Sequence, residues 1–386
     1  MVPLADRSGI RTSWTRLRKG TENLKTQGRN RLLVYDTDGA NPYGRELAAL
    51  LCHVFQIVVL APVQTEWSPS HVFTRRILPS NLPSGSIPQL FRQLRGLAVA
   101  ARAALGGSTI LLVMTRGWYD ELAFALMAFL GARVVVIAHD PKPKQTLRPI
   151  SAFSRRLLWQ QASLLVAHSE TLAAEAAVAG GRSAVVVPHL PFLEYAAWAQ
   201  AAAPTEPAQQ CRLLVLGQLR PDKGLDRIPN ILSHLQADDR SRISIAFAGK
   251  GDCSEIVAEV ADLTTVVRRP SRYRLSDIEI AKVLAQSDLL IAPYPLVSAS
   301  GTVVLALSRG LRVVAYDTGA LSDVVARDGL VSLGDEGEFA SRIVTAIRSG
   351  FGGPAQTLST WKERSFKSWM QCLGALTAHE RRSQFS

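Results

Sequence analysis

Cysteine is scarce in this chain of 386 residues: Cys52, Cys211, Cys253 and Cys372 stand far apart, and no two form a C-x-x-C. That spacing indicates neither a zinc site nor a disulfide framework, and reduced cytosolic thiols are the simplest reading. No uninterrupted apolar run approaches the ~18–20 residues that a transmembrane helix needs. The N-terminus carries Arg7, Arg11, Arg16, Arg18 and Lys19 with no apolar segment behind them, which does not fit a secretory signal. The chain therefore reads as cytoplasmic, either free or peripheral on the inner face of the plasma membrane. Aromatic residues amount to 7%, few of them stand between basic residues, and no RNP, zinc-finger or helix-turn-helix signature is present. Nucleic acid is thereby set last among the partners that a net charge of +12 could serve. Acidic small molecules and an anionic membrane surface remain.

What the chain does have is apolar content of 47%, enough for full cores, and length for two domains of ordinary size. Residues 1–29 read as a basic arm. From residue 30 to 195, short apolar runs at 31–35, 56–60, 110–114, 133–138, 164–167 and 185–187 alternate with helical patterns. Residues 61–86, rich in Pro and Ser, read as loop. The Ala- and Pro-rich stretch 196–210 reads as a linker. The alternation restarts over 211–355, with strands expected at 212–216, 243–248, 264–267, 289–292, 312–315 and 330–333, and helices at 225–236, 254–263, 276–286, 302–309 and 336–348. This is the pattern of two α/β, Rossmann-like domains with doubly wound parallel sheets. Residues 356–386 hold a final helix whose Trp361, Phe366 and Trp369 need a surface to pack on. Residues 87–105 have helical spacing with Arg92, Arg95 and Arg102 among the apolar positions. That pattern fits a surface helix packed on a sheet, and also a helix lying on an anionic bilayer.

Ligands in such sheets bind at the carboxyl ends of the strands, so the loops that follow strands carry the candidate chemistry. In the second half the first is G-Q-L-R-P-D-K-G, Gly217–Gly224, where glycines permit close backbone approach and Arg220 and Lys223 offer two cations. The second is the stretch from Tyr294 through Ser298, Ser300, Gly301 and Thr302, small residues opening a helix that ends at Gly310. A helix N-terminus without bulky side chains suits a phosphate, though an ordinary Ser-capped helix reads the same way. In the first half, Asp36–Gly44 is dense in turn formers, with Asn41 among them and with Gly39 and Gly44 allowing close approach of a substrate; Trp118 follows a later strand. His139 and Asp140 follow another, where either could orient a hydroxyl or take its proton; backbone capping and a turn before Pro141 fit them equally. His168 and His189 also follow strands. Asp36-Thr37-Asp38 spells a metal motif but lies in the first half and reads as a turn, so no metal is expected.

With these residues in place, the chain resembles a GT-B fold glycosyltransferase, and within that fold glycosyltransferase family 4. The resemblance rests on L-V-L-G-Q-L-R-P-D-K-G-L-D-R-I, on A-Q-S-D-L-L-I-A-P-Y (Ala285–Tyr294) and on the run from Ser298 to Leu321, with I-A-H-D-P-K-P and V-V-V-P-H in the first half. It implies a nucleoside diphosphate sugar as donor substrate (UDP- or GDP-linked, with no further cofactor), bound by the second domain. It also implies a lipid-linked or growing polysaccharide acceptor bound by the first domain, and a tail helix that crosses back to the first domain. Most of the family carries two glutamates with seven residues between them at the donor site; Val297 and Leu305 stand at the corresponding positions here. A subset carries Ser-Gly at the helix start, as Ser300–Gly301 does. The family's usual Arg two residues after the loop's strand is Gln218, with Arg220 available to do its work. Lys223 and Arg220 would then stabilise the leaving diphosphate, Gly217, Gln218, Gly224 and Ser298 would line it, and Arg274 would lie near the nucleoside base; Gly39, Asn41, Gly44 and Trp118 would meet the acceptor, with Asp140 or His139 serving its hydroxyl. A non-catalytic GT-B scaffold that binds another enzyme of an assembly pathway is the alternative that the missing glutamates support.

Overall fold

The computed structural model describes residues 31–36, 42–62, 67–78, 87–115, 117–141, 149–203, 210–349 and 353–383. The basic arm, Gly39, Asn41 and Arg116 lie outside them. In the first domain the strands are β1 (Arg31–Asp36), β2 (Gln56–Pro62), β3 (Phe73–Leu78), β4 (Thr109–Met114), β5 (Val134–Ile137), β6 (Leu164–Ala167) and β7 (Val185–Val186). They form one sheet in the order β3-β2-β1-β4-β5-β6-β7, and every pair is parallel. Central strands such as Val134–Ile137 are buried along their whole length, as helices on both faces require. Helices α1 (Tyr43–Leu51), α2 (Ile87–Leu105), α3 (Trp118–Phe129), α4 (Pro149–Gln161) and α5 (Glu170–Gly180) make the crossovers.

Residues 61–86, expected as loop, contain β3. This strand is an edge strand, with Arg75 and Arg76 in its middle, and its sequence gives none of the continuous apolar signal of its neighbours. The segment expected as a linker from Ala196 is, through Ala202, part of a helix, α6 (Leu193–Ala202), with Tyr195, Ala196 and Ala199 buried. Residues 204–209 lie outside the described residues.

The second sheet holds β8 (Cys211–Leu216), β9 (Ile243–Ala248), β10 (Thr265–Arg268), β11 (Leu289–Ala292), β12 (Arg312–Tyr316) and β13 (Leu330–Val331) in the order β10-β9-β8-β11-β12-β13, again parallel. The single helix expected over 225–236 is broken up. Turns of 3-10 helix at Pro221–Lys223 and Leu225–Arg227 lead into α7 (Ile228–Ser233), with a proline at its start, and α8 (Ala237–Ser241) follows. Helices α9 (Ser254–Ala261), α10 (Asp277–Ala285), α11 (Gly301–Arg309) and α12 (Glu336–Ser349) complete the domain.

The tail helix α13 (Leu358–Ser383) returns to the first domain. Trp361 and Trp369 are fully buried in a core that also contains Tyr43, Leu47 and Leu190. The Trp361 indole donates to the His189 carbonyl, and Ser365 Oγ donates to the same oxygen at 3.3 Å. That core runs through α6 into the second domain, where Val303 and Leu307 of α11 join it. The two domains are thus held by one continuous apolar body, in which the Phe192 N–H donates to Ser308 Oγ across the boundary at 2.9 Å.

Candidate donor and acceptor sites

Both sheets reverse their strand order at one place. In the second sheet the reversal lies between β8 and β11, so the loops leaving these two strands diverge and open a crevice. Those two loops are Gly217–Gly224 and Pro293–Ser300, the pair singled out from sequence. Glycine sets how closely they approach. Gly224 has φ +62°, and a Cβ there would lie 1.9 Å from the Pro293 carbonyl oxygen. A Cβ on Gly217, at φ +120°, would lie 3.2 Å from Thr302 Oγ1. The first loop is therefore laid directly against the start of α11.

Tyr294 ties the two loops together. Its buried ring lies under Lys223, whose Nζ is 4.1 Å from the ring centroid. Its hydroxyl is hydrogen-bonded to the Ser300 side chain, and burial pushes its pKa up to about 12 despite that bond. Ser300 caps α11 by accepting from the Val303 N–H at 3.4 Å. The N–H groups of Gly301 and Thr302 have no carbonyl to bond within the helix and lie at the positive end of its dipole. Lys223 and this helix start together make a wall suited to an anion.

Arg220 is placed differently. Its guanidinium is bidentate to Asp222, at 2.9 Å from Nε and 3.0 Å from Nη2, and Nη1 donates to Gln218 Oε1 at 3.0 Å. Its charge is balanced within its own loop, and it meets a ligand only by sharing donors with Asp222. Sequence reasoning missed Asp222, although it stands two residues from Arg220 in the same turn. Ser298 is half-buried, and its carbonyl accepts from the Ala320 N–H at 3.1 Å. Arg274 is exposed after β10, on the same sheet edge but two strands from the reversal. Val297 and Leu305 are both buried in the apolar core.

On the first domain, β1 and β4 flank the reversal. Gly44, at the start of α1, brings its Cα against the buried Asp36; a Cβ there would lie 3.1 Å from Asp36 Oδ2. Trp118 and Asp140 are exposed at the ends of β4 and β5. His139, His168 and His189, from three successive strand ends, converge on Tyr43 with ring centroids 4.9–5.1 Å from it. His168 Nδ1 bonds the Val187 carbonyl at 2.9 Å, and His189 Nδ1 that of Leu190 at 2.8 Å. Burial above all pushes His139 down to about 3 and His168 to about 4, with His189 also well below its ordinary value. The cluster is neutral and packed beneath the cleft. A general base works best with a pKa near the working pH, so His139 does not fit the proton-accepting role read for it from its position after a strand. Among the described residues no three His, Cys, Asp or Glu side chains are arranged to hold a metal ion.

Two further side chains bridge the domains near this edge. Asp277, first residue of α10, accepts from the Trp67 N–H at 3.2 Å and stands 3.6 Å from the fully buried guanidinium of Arg45 on α1. Arg45 in turn donates to the Trp67 carbonyl at 2.5 Å and lies 5.2 Å from the Trp67 ring centroid. No motif signals this pair, because its members belong to different domains.

Comparison with known proteins agrees with this geometry. Residues 210–349 match the family model described as Glycosyl transferases group 1, which spans the second sheet and its helices. No curated protein matches the chain significantly. Among solved structures, a sucrose-phosphate synthase from Thermosynechococcus elongatus superposes with a TM-score of 0.58 at 15% identity, covering 92% of this chain and 99% of the other. The lipopolysaccharide outer core galactosyltransferase WaaB gives 0.55 at 11% identity, covering 90% and 99%. WaaG, a glycosyltransferase involved in lipopolysaccharide biosynthesis, gives 0.54 at 13%, covering 87% and 94%. At these identities the likeness establishes the fold: two Rossmann-like domains facing across a cleft, GT-B, with the tail helix crossing back.

Proposed function

We propose that the chain transfers a sugar from a nucleoside diphosphate sugar to a hydroxyl of a lipid-linked or growing polysaccharide acceptor. The observation that carries this reading is the Lys223–Tyr294–Ser300 link at the strand-order reversal, inside the segment that matches the group 1 glycosyl transferases. In the reaction the bond between the anomeric carbon and the diphosphate oxygen breaks, its electron pair passing to the phosphate. A bond forms to the acceptor oxygen, whose proton must leave. Lys223 and the N–H groups of Gly301 and Thr302 face the place where negative charge grows, and fixed charges and dipoles of this kind lower the barrier most. Arg220 joins them by sharing its guanidinium between Asp222 and the phosphate. With Val297 and Leu305 in the core, the sugar and ribose hydroxyls fall to neutral partners such as Gln218 and Ser298. If the anomeric centre is inverted, Asp140 at the rim takes the acceptor's proton; if it is retained, the leaving phosphate takes it.

A second reading, a scaffold that no longer turns over, is favoured by two observations: the buried apolar residues at 297 and 305, and the pairing of Arg220 with Asp222. Thermal melting in the presence of uridine and guanosine diphosphates separates the two. A donor site raises the melting temperature with one of them, since ligand at about 100 times its Kd adds roughly 2.7 kcal/mol to stability. No shift with either, together with unchanged behaviour of Lys223→Ala, would leave the scaffold.

A further inference from the structure

The loop Gly217–Gly224 brings one carboxylate to the anion wall along with its cations. On this loop, on Pro293–Ser300 and on the first turn of α11, the charged side chains are Arg220, Asp222 and Lys223. The backbone that carries them is held at both ends. Leu219 is buried, and its N–H donates to the Lys250 carbonyl at 2.9 Å. The Lys223 N–H donates to the Arg220 carbonyl and the Gly224 N–H to that of Pro221, each at 3.0 Å, and Gly224 lies against Pro293. Asp222 can therefore leave the site only by turning its side chain, and Arg220 holds both of its oxygens. Of the five N–H groups of a guanidinium, Asp222 takes two and Gln218 one, which leaves two for a ligand. Burial, and after it the charge of Asp222, push the Tyr294 phenol up to about 12 against its bond to Ser300. The carboxylate thus lies within electrostatic reach of the hydroxyl that holds the helix start. One strand away on either side, the edge carries Lys250 after β9 and Asp317 after β12, both exposed and of opposite sign.

We propose that Asp222 sets the site's preference between donor and product, limiting how tightly it holds the spent nucleoside diphosphate. This rests on the donor-site reading above. A diphosphate joined to a sugar carries one charge on its terminal phosphate. When the bond to the anomeric carbon breaks, the electron pair stays on that phosphate, and the acceptor's proton goes to a base or to the phosphate itself. Above the second phosphate pKa of about 6 the proton ends in solvent by either route, and the terminal phosphate holds two charges. Coulomb energies are linear in charge, so every contact with that phosphate doubles. Lys223, Arg220 and the helix start would then hold the product far more tightly than the donor. A fixed carboxylate among them is repelled in the same proportion and removes part of the excess. Release of product limits turnover in many enzymes, so a residue of this kind raises the rate without touching the sugar. If Asp222 merely oriented Arg220, its loss would act with the opposite sign and equally on donor and product.

Calorimetry on the full chain at about pH 8, where the terminal phosphate is ionised, tests this. The probes are uridine or guanosine diphosphate, whichever raises the melting temperature, and the β-methyl ester of the same nucleotide. The ester's terminal phosphate keeps a single charge, as in a donor, whatever the sugar. The parent is compared with Asp222→Asn and Asp222→Glu. Melting curves check the fold, and Asp222→Ser repeats the test if Asp222→Asn melts early. The side chains of Arg220 and Asp222 are 39% and 26% exposed, so water screens the effect to a few-fold. We expect Asp222→Asn to bind the diphosphate about five-fold more tightly and the ester about two-fold more tightly. Asp222→Glu, which keeps the charge, should keep the parent's ratio between the two. A loss of affinity for both probes by one common factor in Asp222→Asn overturns the proposal, because Asp222 then only orients Arg220. A parent that binds the diphosphate, with a ratio that Asp222→Asn leaves unchanged, overturns this inference alone. A parent that binds neither diphosphate overturns the donor-site reading and this inference with it.

Discussion

Lys223 and Tyr294 stand as cation over ring, 4.1 Å apart, on the two loops that leave the central strands of the second sheet. The contact serves an anion site by keeping the ammonium on the loop that lies against the helix start at Ser300. A contact of this kind is worth about 0.5–2 kcal/mol, and the Tyr294–Ser300 hydrogen bond about 1 kcal/mol more.

The two contributions separate by substitution. Tyr294→Phe keeps the ring under Lys223 and loses the bond to Ser300; calorimetry with the preferred nucleoside diphosphate should show affinity about five-fold weaker. Lys223→Ala should remove measurable transfer and weaken diphosphate binding by more than Tyr294→Phe does, with melting close to that of the parent. If Lys223→Ala binds the diphosphate as tightly as the parent, the lysine only packs on Tyr294 and the anion site lies elsewhere.

Asp277 and Arg45 give a prediction about how the domains are held. Asp277→Asn keeps an acceptor for the Trp67 N–H and removes the charge beside Arg45. Breaking one half of a buried ion pair leaves the other uncompensated, with a destabilisation of about 3 kcal/mol at the lower end of such cases. The expected result is a lower melting temperature and a larger radius of gyration by small-angle scattering, because the pair spans the two domains. Arg45→Met in the Asp277→Asn background should recover part of the loss. A double-mutant cycle showing no coupling between the two positions would remove the clasp from the account.

Strands buried on both faces could be read from sequence because each is a short apolar run with turn residues behind it, as at Leu289–Ala292. The same signal fails at an edge: Phe73–Leu78 carries two arginines in its middle, and one face of an edge strand need not be apolar. Leu193–Ala202 was hidden for another reason. Alanine gives helical propensity without periodicity, and the prolines that follow suggested a linker. At the candidate donor site the two glycine-bearing loops were legible from spacing, since glycine is demanded where backbones meet, as Gly224 meets Pro293. The grip of Asp222 on Arg220 and the reach of Asp277 to Arg45 were not, because they depend on where side chains turn after folding. His139 shows the limit most clearly. A histidine after a parallel strand looks the same in sequence whether it faces substrate or, as here, packs against Tyr43 and His168.

Glu46 makes stability depend on pH in a direction opposite to that of most carboxylates. It is buried on α1, and its Oε1 accepts from the Tyr195 N–H at 2.5 Å at the start of the boundary helix α6. Burial pushes its carboxyl up from 4.5 to about 8, outweighing the hydrogen bonds from the Tyr195 and Glu194 backbones that favour the charge. Between these values the folded chain holds a proton that the unfolded chain has released, so stability falls as pH rises through that window. The contribution is fully present below the unfolded value and is gone above about 8. Its size is on the order of a few kcal/mol. Glu46→Gln cannot titrate, yet its amide oxygen still accepts from Tyr195. The parent's melting temperature should therefore drop relative to that of Glu46→Gln between about pH 5 and about pH 9. A difference between the two that stays constant over this range would mean that Glu46 is ionised in the folded chain throughout, with its charge met by the helix start of α6 and by Lys362.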